Sequence, residues 1–259
     1  MPETFNLSWF FGFMCAMPSS LISEELVFAT GDWRPYIFEE SGDVVPETPG
    51  FSVEIVNKVF EKMGHSITYV SAPFARQIKM AEQGTVDALV GLYQDEAPSL
   101  VFPAEPIGTT QNCFFVKSDN SWKYEKIEDL SEIVLGTILG YTYGEIDTFI
   151  ENKPENIFSL SGSETVMMER LVGLLDMGRV DTFVQDKLIT EFFLSNFETN
   201  EKLENVGCLA KVPFYVGFSP KGQFSKEFAM EFDKILNEMR RSGELDEILA
   251  KYSVLDWER

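Results

Sequence analysis

The feature that most constrains this chain is an ordered alternation of short apolar runs with longer helix-patterned segments. ELVFAT, residues 25–30, is a strand-type run. The loop GDWRPYIFEESGDVVPETPG follows it. In the next segment Phe51, Ile55, Val56, Val59, Phe60 and Met63 recur at helical spacing, and Gly64 stands where the helix must stop. HSITYVSA is a second strand, the segment carrying Arg76 a second helix, and ALVGL a third strand. Strand, helix, strand, helix, strand is the pattern of a parallel sheet with crossover helices. VLGTILGYTYG continues it as a further strand that runs into a glycine-rich turn and a helix at Glu145. An α/β fold is expected.

An internal echo extends the pattern. GTVDALV begins at Gly84 and GRVDTFV at Gly178. Each follows a helix with an apolar stripe, places Gly just past the helix end, turns through Val-Asp and enters an apolar strand. Two readings stand side by side: shared turn chemistry alone, or two similar α/β lobes each built on one such unit. FSKEFAMEFDKILNEMRRSGELDEILAKY reads as two amphipathic helices split at Gly243, a terminal pair that packs back on one lobe. Asp87 and Asp181, in the echoed motif, are read as structural turn residues.

Composition narrows the classes. The 259 residues suffice for one large or two medium domains, and 44% hydrophobic with 14% aromatic residues argue against disorder. A formal charge of −21 makes nucleic acid and anionic membranes poor partners. With a single histidine, His65, neither a His-based metal site nor a His-dependent triad is expected, and the three cysteines have no CxxC spacing. No metal and no cofactor is expected.

The run LSWFFGFMCAMPSSLIS is apolar, broken by Pro18, and ends in small residues before Glu24-Glu25. It is too short and interrupted for a membrane span, and the better reading is a cleaved secretory signal over residues 1–23. The segment MPETFN before it lacks the usual Lys or Arg, which leaves an uncleaved anchor or a misplaced start codon as the alternatives. The mature protein is expected to be soluble, periplasmic and to begin near Glu24.

The order GFSVEIVNKVF, GTVDALVG, EDLSEIVLGTILGYTYG, GRVDTFVQD and LNEMRRSGELDEILAKY resembles the extracellular solute-binding proteins of family 3. These are periplasmic receptors that deliver polar amino acids and similar small solutes to ABC importers. The resemblance runs from about Leu26 to Tyr252. It implies a periplasmic-binding-protein-like fold of type II, two α/β lobes joined by two crossing strands, closing on a ligand by a hinge motion. By this analogy the crossings lie near Cys113 to Lys117 and Val212 to Gly217. Residues 24–115 and 213–259 then form the first lobe and 116–212 the second. Cys113 and Cys208 fall near those crossings; a disulfide between them and two buried thiols are both open, the thiols being the default. A monomer is expected.

The resemblance also implies a site, with one departure. Typical amino-acid binders grip the ligand carboxylate with the arginine of a Thr-x-x-Arg segment. The corresponding stretch here, GLYQDEAPSLVFPAEPIG, contains no arginine. A carboxylate left unpaired in a dehydrating cleft is costly, so another cation is expected in that role, or a different ligand. Arg76, in the PFAR match to a Pro-aromatic-x-Arg pattern, opens its helix at the ligand-facing end of the second strand, and its planar fork suits a carboxylate. Arg34 is the next candidate. Asp32, Trp33 and Tyr36 fall in the family's first binding loop, the aromatics serving either as a lid or as loop packing. Thr142 matches the small hydroxyl residue that opens the second lobe's helix, either as part of an anion site or as an ordinary cap. Asp186 falls where a carboxylate meets the ligand ammonium, and Tyr93 lines the cleft.

The resemblance implies a binder that delivers its solute to a membrane ABC permease. Two alternatives share the fold: a ligand-sensing subunit for a membrane signalling protein, and a dehydratase of the arogenate or prephenate type. No acid–base constellation stands out, although Asp32, Glu96 and Glu105 are the acids such an enzyme would draw on.

Overall fold

The structure, a computed structural model, describes residues 25–161, 164–197 and 202–258. The signal expected over residues 1–23 lies outside them. The described elements run β1 (Glu25–Thr30), β2 (Glu39–Glu40), β3 (Asp43–Val44), α1 (Phe51–Met63), β4 (Ser66–Ser71), α2 (Phe74–Gln83), β5 (Ala88–Leu92), β6 (Gly108–Thr110) and β7 (Asn112–Lys117). They continue as β8 (Leu135–Ile138), α3 (Asp147–Asn152), β9 (Ile157–Leu160), α4 (Glu164–Asp176), β10 (Thr182–Asp186), α5 (Lys187–Asn196), β11 (Leu203–Cys208), β12 (Val212–Phe218), α6 (Ser225–Ser242) and α7 (Glu244–Lys251). No helix among the described residues is long and apolar enough to cross a membrane.

The strands form two five-stranded sheets and a small hairpin of β2 with β3. In the first sheet, of order β4-β1-β5-β12-β6, the strands β4, β1 and β5 are parallel and β12 and β6 run against their neighbours. In the second, of order β11-β7-β10-β8-β9, the strands β10, β8 and β9 are parallel and β7 and β11 are antiparallel. Each sheet is therefore a three-stranded parallel core completed by two antiparallel strands, one of which, β12 or β7, arrives from the other lobe. The order with β1 between β4 and β5 sends the two right-handed crossovers in opposite directions, so α1 and α2 cover opposite faces. β1 reads as continuously apolar for that reason. Phe28 turns to Phe60 and Phe218 on the α1 face, and Ala29 packs with Ala81 and Leu89 on the α2 face.

The echoed motif does the same work in both sheets. Asp87 accepts from the Val27 N–H at 2.8 Å and its own N–H donates to the Val27 carbonyl at 2.7 Å. Asp181 repeats both bonds with Val134, at 2.7 and 2.8 Å. Each aspartate thus stitches the start of its strand to the neighbouring parallel strand. Gly84 and Gly178, with φ of +75° and +63°, supply the left-handed turn before it.

The chain changes sheet between Thr110 and Asn112 and returns between Cys208 and Val212. The default of two buried thiols is corrected here. Cys113 and Cys208 are directly paired across β7 and β11 and are joined by a disulfide. The antiparallel register places them opposite one another, although 95 residues separate them in sequence. The bond closes a loop that contains the rest of the second lobe.

Gly50 fixes the first loop to this frame. It caps α1 at φ +89°, and the Ser52 N–H beyond it donates to the Tyr36 carbonyl at 3.2 Å. A Cβ at Gly50 would intrude on the Tyr36 carbonyl and the Ile37 backbone, whereas one at Gly64, φ +86°, would meet nothing. Gly64→Ala is expected to cost only the left-handed backbone penalty, about 1–2 kcal/mol. Gly50→Ala should cost clearly more in urea unfolding; equal losses would contradict the close approach.

Candidate functional site

The parallel strands of both sheets end on the same side of the sheet change, and the loops after them carry most of the expected site residues. The centre is Asp186, the last residue of β10 and the cap of α5. Its Oδ1 accepts from the Ile189 N–H at 3.0 Å and from the Tyr36 hydroxyl at 2.9 Å; its Oδ2 accepts from the Gln111 N–H at 2.9 Å. Tyr36 belongs to the first lobe, Ile189 to the second, and Gln111 is the crossing itself. Asp186 is only 4% exposed. Burial pushes its carboxyl above the ordinary value of 3.8, and the amide and hydroxyl donors pull against that shift without cancelling it.

Aromatic residues gather beside it. Tyr36, fully buried, stacks on Trp33 with ring centroids 4.1 Å apart and meets Phe214 edge-on at 5.2 Å. Trp33 rests over Gly91, where a Cβ would approach the indole to 3.1 Å. Glycine there is what lets the ring settle on β5. The Tyr93 hydroxyl is 2.8 Å from Thr110 Oγ1, next to the crossing. Burial, with the Asp186 charge as a smaller contribution, pushes the Tyr93 phenol up to about 12. Trp33, Tyr36, Tyr93 and Asp186 are therefore brought together.

Asp32 and Arg34 lie at the outer side of this cluster. Asp32 Oδ1 accepts from Arg34 Nε and from the Glu39 N–H, both at 2.9 Å, and Arg34 Nη2 donates to the Glu39 carbonyl at 2.7 Å. The Arg34 guanidinium lies 5.2 Å from the Phe38 ring centroid, and Phe38 meets Phe192 of α5 edge-on at 5.4 Å. This is a second contact between the lobes.

Arg76 and Thr142 stand apart from the cluster. Arg76 is exposed in the first turn of α2, and its guanidinium has no hydrogen bond or ion pair among the described residues. Thr142 is exposed and caps nothing. The amides that follow it, Tyr143 and Gly144, donate to the Asp147 carboxylate at 2.7 and 3.0 Å. Donors expected to be open to an external anion are thus filled by an internal one. The sequence carried a sign of this, since an acid three residues past Gly144 is the reach-back position of a capping box. Gln111 was missed because its contribution is a backbone N–H, which leaves no trace in residue type.

With this geometry in view, the comparisons with known proteins fix the family. The model of the bacterial extracellular solute-binding proteins, family 3, matches residues 26–254. The chain belongs to that family, and its two α/β lobes are those of a type II periplasmic binding protein. Among solved structures it is similar to the probable amino-acid ABC transporter extracellular-binding protein ytmK from Bacillus subtilis. That likeness has TM-score 0.70 and 18% identity, over 89% of this chain and 98% of that one. It is also similar to a histidine kinase sensor domain with similarity to periplasmic binding proteins (TM-score 0.64, 17% identity, 89% and 96% covered). A third likeness is to an ancestral amino acid-binding protein described as a precursor of cyclohexadienyl dehydratase (TM-score 0.63, 17% identity, 88% and 94% covered). None of the curated proteins matches the chain.

The raised Asp186 carboxyl has a measurable consequence. The folded protein holds this proton more readily than the unfolded chain. The stability it contributes is therefore fully present below the unfolded value of 3.8 and is lost as pH rises through the raised folded value. Urea unfolding of the parent and of Asp186→Asn, compared from about pH 4 to about pH 8, should show the parent losing ground to the variant as pH rises. A difference that stays constant, or moves in the parent's favour, would show that the donors outweigh burial.

Proposed function

We propose that this chain is an exported receptor that clamps a small polar solute, an amino acid or related carboxylate-bearing molecule, between its lobes and delivers it to an ABC-type importer. The observation that carries the reading is the meeting of the lobes at Tyr36 and Asp186, at the strand ends where open α/β sheets receive ligands. In this reading Arg76 takes the solute's carboxylate, because its donors are not committed to the protein and its fork accepts two parallel bonds. Asp186 takes the amine side, exchanging the Tyr36 hydroxyl for an ammonium that pairs its buried charge. Trp33 and Tyr93 wall the site, Asp32 closes its outer side, and Thr142 meets the solute from the rim of the second lobe.

The reading is of binding rather than catalysis. The acids that a dehydratase would draw on are engaged within the protein: Asp32 with Arg34 and the Glu39 amide, Glu96 with the Tyr93 amide, and Glu105 with Arg240. The likeness to a kinase sensor domain favours a second reading, in which the same binding step is reported to a membrane signalling protein. Permease and ATPase genes found beside this one would support transport, and a signalling gene would support sensing.

A thermal-shift panel of amino acids, dicarboxylates and polyamines, together with native mass spectrometry of the purified protein, identifies the solute. Calorimetry then tests the site. Losing one partner of a buried charge pair costs about 2–5 kcal/mol, so Arg76→Ala should weaken binding by at least about tenfold. Arg76→Lys should restore little of that. Parent-like affinity in Arg76→Ala would remove Arg76 from the site. Small-angle scattering should show compaction on binding with unchanged circular dichroism; an unchanged radius of gyration with binding confirmed would remove the clamp.

A further inference from the structure

Glu39 is a buried acid that the solute-binding reading leaves without a task. It opens β2 on the first-lobe loop that carries Trp33 and Tyr36, and it is only 7% exposed. Its carboxyl reaches the ends of β1 and β4, where Thr30 and Ser71 are direct neighbours in the parallel register. Ser71 donates its hydroxyl to Glu39 Oε2 at 2.6 Å. Glu39 Oε1 is buried without a hydrogen-bond partner among the described residues, and so is Thr30 Oγ1. Around this contact the loop folds back on itself. The Phe38 N–H donates to the Pro49 carbonyl and the Val45 N–H to the Phe38 carbonyl, both at 3.0 Å. The Glu39–Ser71 bond ties that stretch to the edge strand β4.

The surroundings favour the neutral form of this acid. Asp32, from the loop after β1, and Asp43, from β3, bring negative charge toward it. Arg34 faces it from the same loop as Asp32, but gives Nη2 to the Glu39 carbonyl and Nε to Asp32 Oδ1. Its charge is therefore shared with Asp32 and pairs with neither oxygen of the Glu39 carboxyl. The ends of β1 and β4 present hydroxyls. The Thr30 hydroxyl stands close enough to favour a charge on Glu39 but completes no hydrogen bond to it. Burial is the largest influence and pushes the carboxyl above the ordinary value of 4.5; the Ser71 and Thr30 hydroxyls oppose that shift without cancelling it. A carboxylate buried with one hydroxyl donor leaves lone pairs unmet, which is costly. A proton on Oε1 turns that orphaned acceptor into a donor, and Thr30 Oγ1 is the neighbouring acceptor that lacks a partner.

We infer that Glu39 is a positioning residue, a neutral carboxylic acid that clasps the first-lobe loop to the ends of β1 and β4 and releases it on ionisation. Its Oε2 accepts from Ser71, and its Oε1–H is directed to Thr30 Oγ1. The loop that places Trp33 and Tyr36 is thus held while Glu39 keeps its proton and opens more often once the proton is lost. The inference concerns the protein without solute. It does not depend on what the lobes bind, so its failure would leave the proposed function standing.

Amide hydrogen exchange of the unliganded chain tests it, followed by NMR at Phe38 and Val45 in the parent, Glu39→Gln and Glu39→Ala. Glutamine keeps the shape of the neutral acid, with one acceptor and one donor side, but cannot ionise. Dividing the parent's rate by that of Glu39→Gln at each pH removes the intrinsic base catalysis and the titration of Asp186, which both proteins share. Between about pH 4 and about pH 8 this ratio should rise at least about threefold at both amides. At the acid end Glu39→Ala should exchange at least about threefold faster than the parent, because it lacks the clasp. Should a variant fail to fold, the carboxyl carbon of Glu39 in the parent, assigned through its own side chain, gives an independent readout. Its titration midpoint should lie above 4.5. A ratio that stays level or falls as pH rises would overturn the inference, as would a midpoint at or below 4.5. Exchange in Glu39→Ala no faster than in the parent at the acid end would overturn it as well, since the acid would then fasten nothing.

Discussion

The Asp186 carboxylate is the interaction on which the rest of this structure depends. It joins three segments: the first-lobe loop through Tyr36, the crossing through Gln111, and α5 through Ile189. A buried carboxylate is tolerated only when its lone pairs are satisfied, and removing one donor from such a group typically costs about 1–3 kcal/mol. The donors are drawn from both lobes and from the connection between them. Any motion that separates the lobes on this side must therefore break a bond to a group that has no water to turn to. This couples the position of the lobes to the state of a single side chain.

Around that point the two lobes are built alike. Asp87 and Asp181 stitch equivalent strands with equivalent bonds. Each parallel core is completed by a strand delivered across the connection, β12 into the first sheet and β7 into the second. The disulfide between Cys113 and Cys208 holds β7 to β11 next to both crossings. A single apolar cluster continues from Phe28, Phe60 and Phe218 in the first lobe to Phe115, Phe183 and Met168 in the second. The groups able to meet a solute lie on the loops that this frame positions.

Much of this was legible from local pattern. The helical spacing from Phe51 to Met63 ended at Gly64 as α1 does, and the terminal helices divided at Gly243 as expected. The repeated Gly-x-Val-Asp turn marked the two equivalent units because the same backbone problem recurs in each. Trp33, Tyr36, Tyr93 and Asp186 were expected at one cleft through the family resemblance rather than through local pattern, and the fold brings them near one another. What escaped the sequence depends on distance along the chain or on backbone groups. The pairing of Cys113 with Cys208 needs the register of β11 on β7. The Gln111 donor is an amide that any residue would carry. Asp147 was hidden by a competing expectation, since Thr142 suggests a cap while the reaching acid lies farther on.

The central claim is that Asp186 and Tyr36 form an energetic link between the lobes rather than a contact of convenience. A double-mutant cycle in urea unfolding tests it directly, using Tyr36→Phe, Asp186→Asn and the combined variant at neutral pH. The account predicts that the two losses are not additive, with a coupling energy of about 1–3 kcal/mol as the hydroxyl and the carboxylate lose value without each other. Additivity within about 0.5 kcal/mol would contradict it and would show that the hydroxyl and the carboxylate contribute independently.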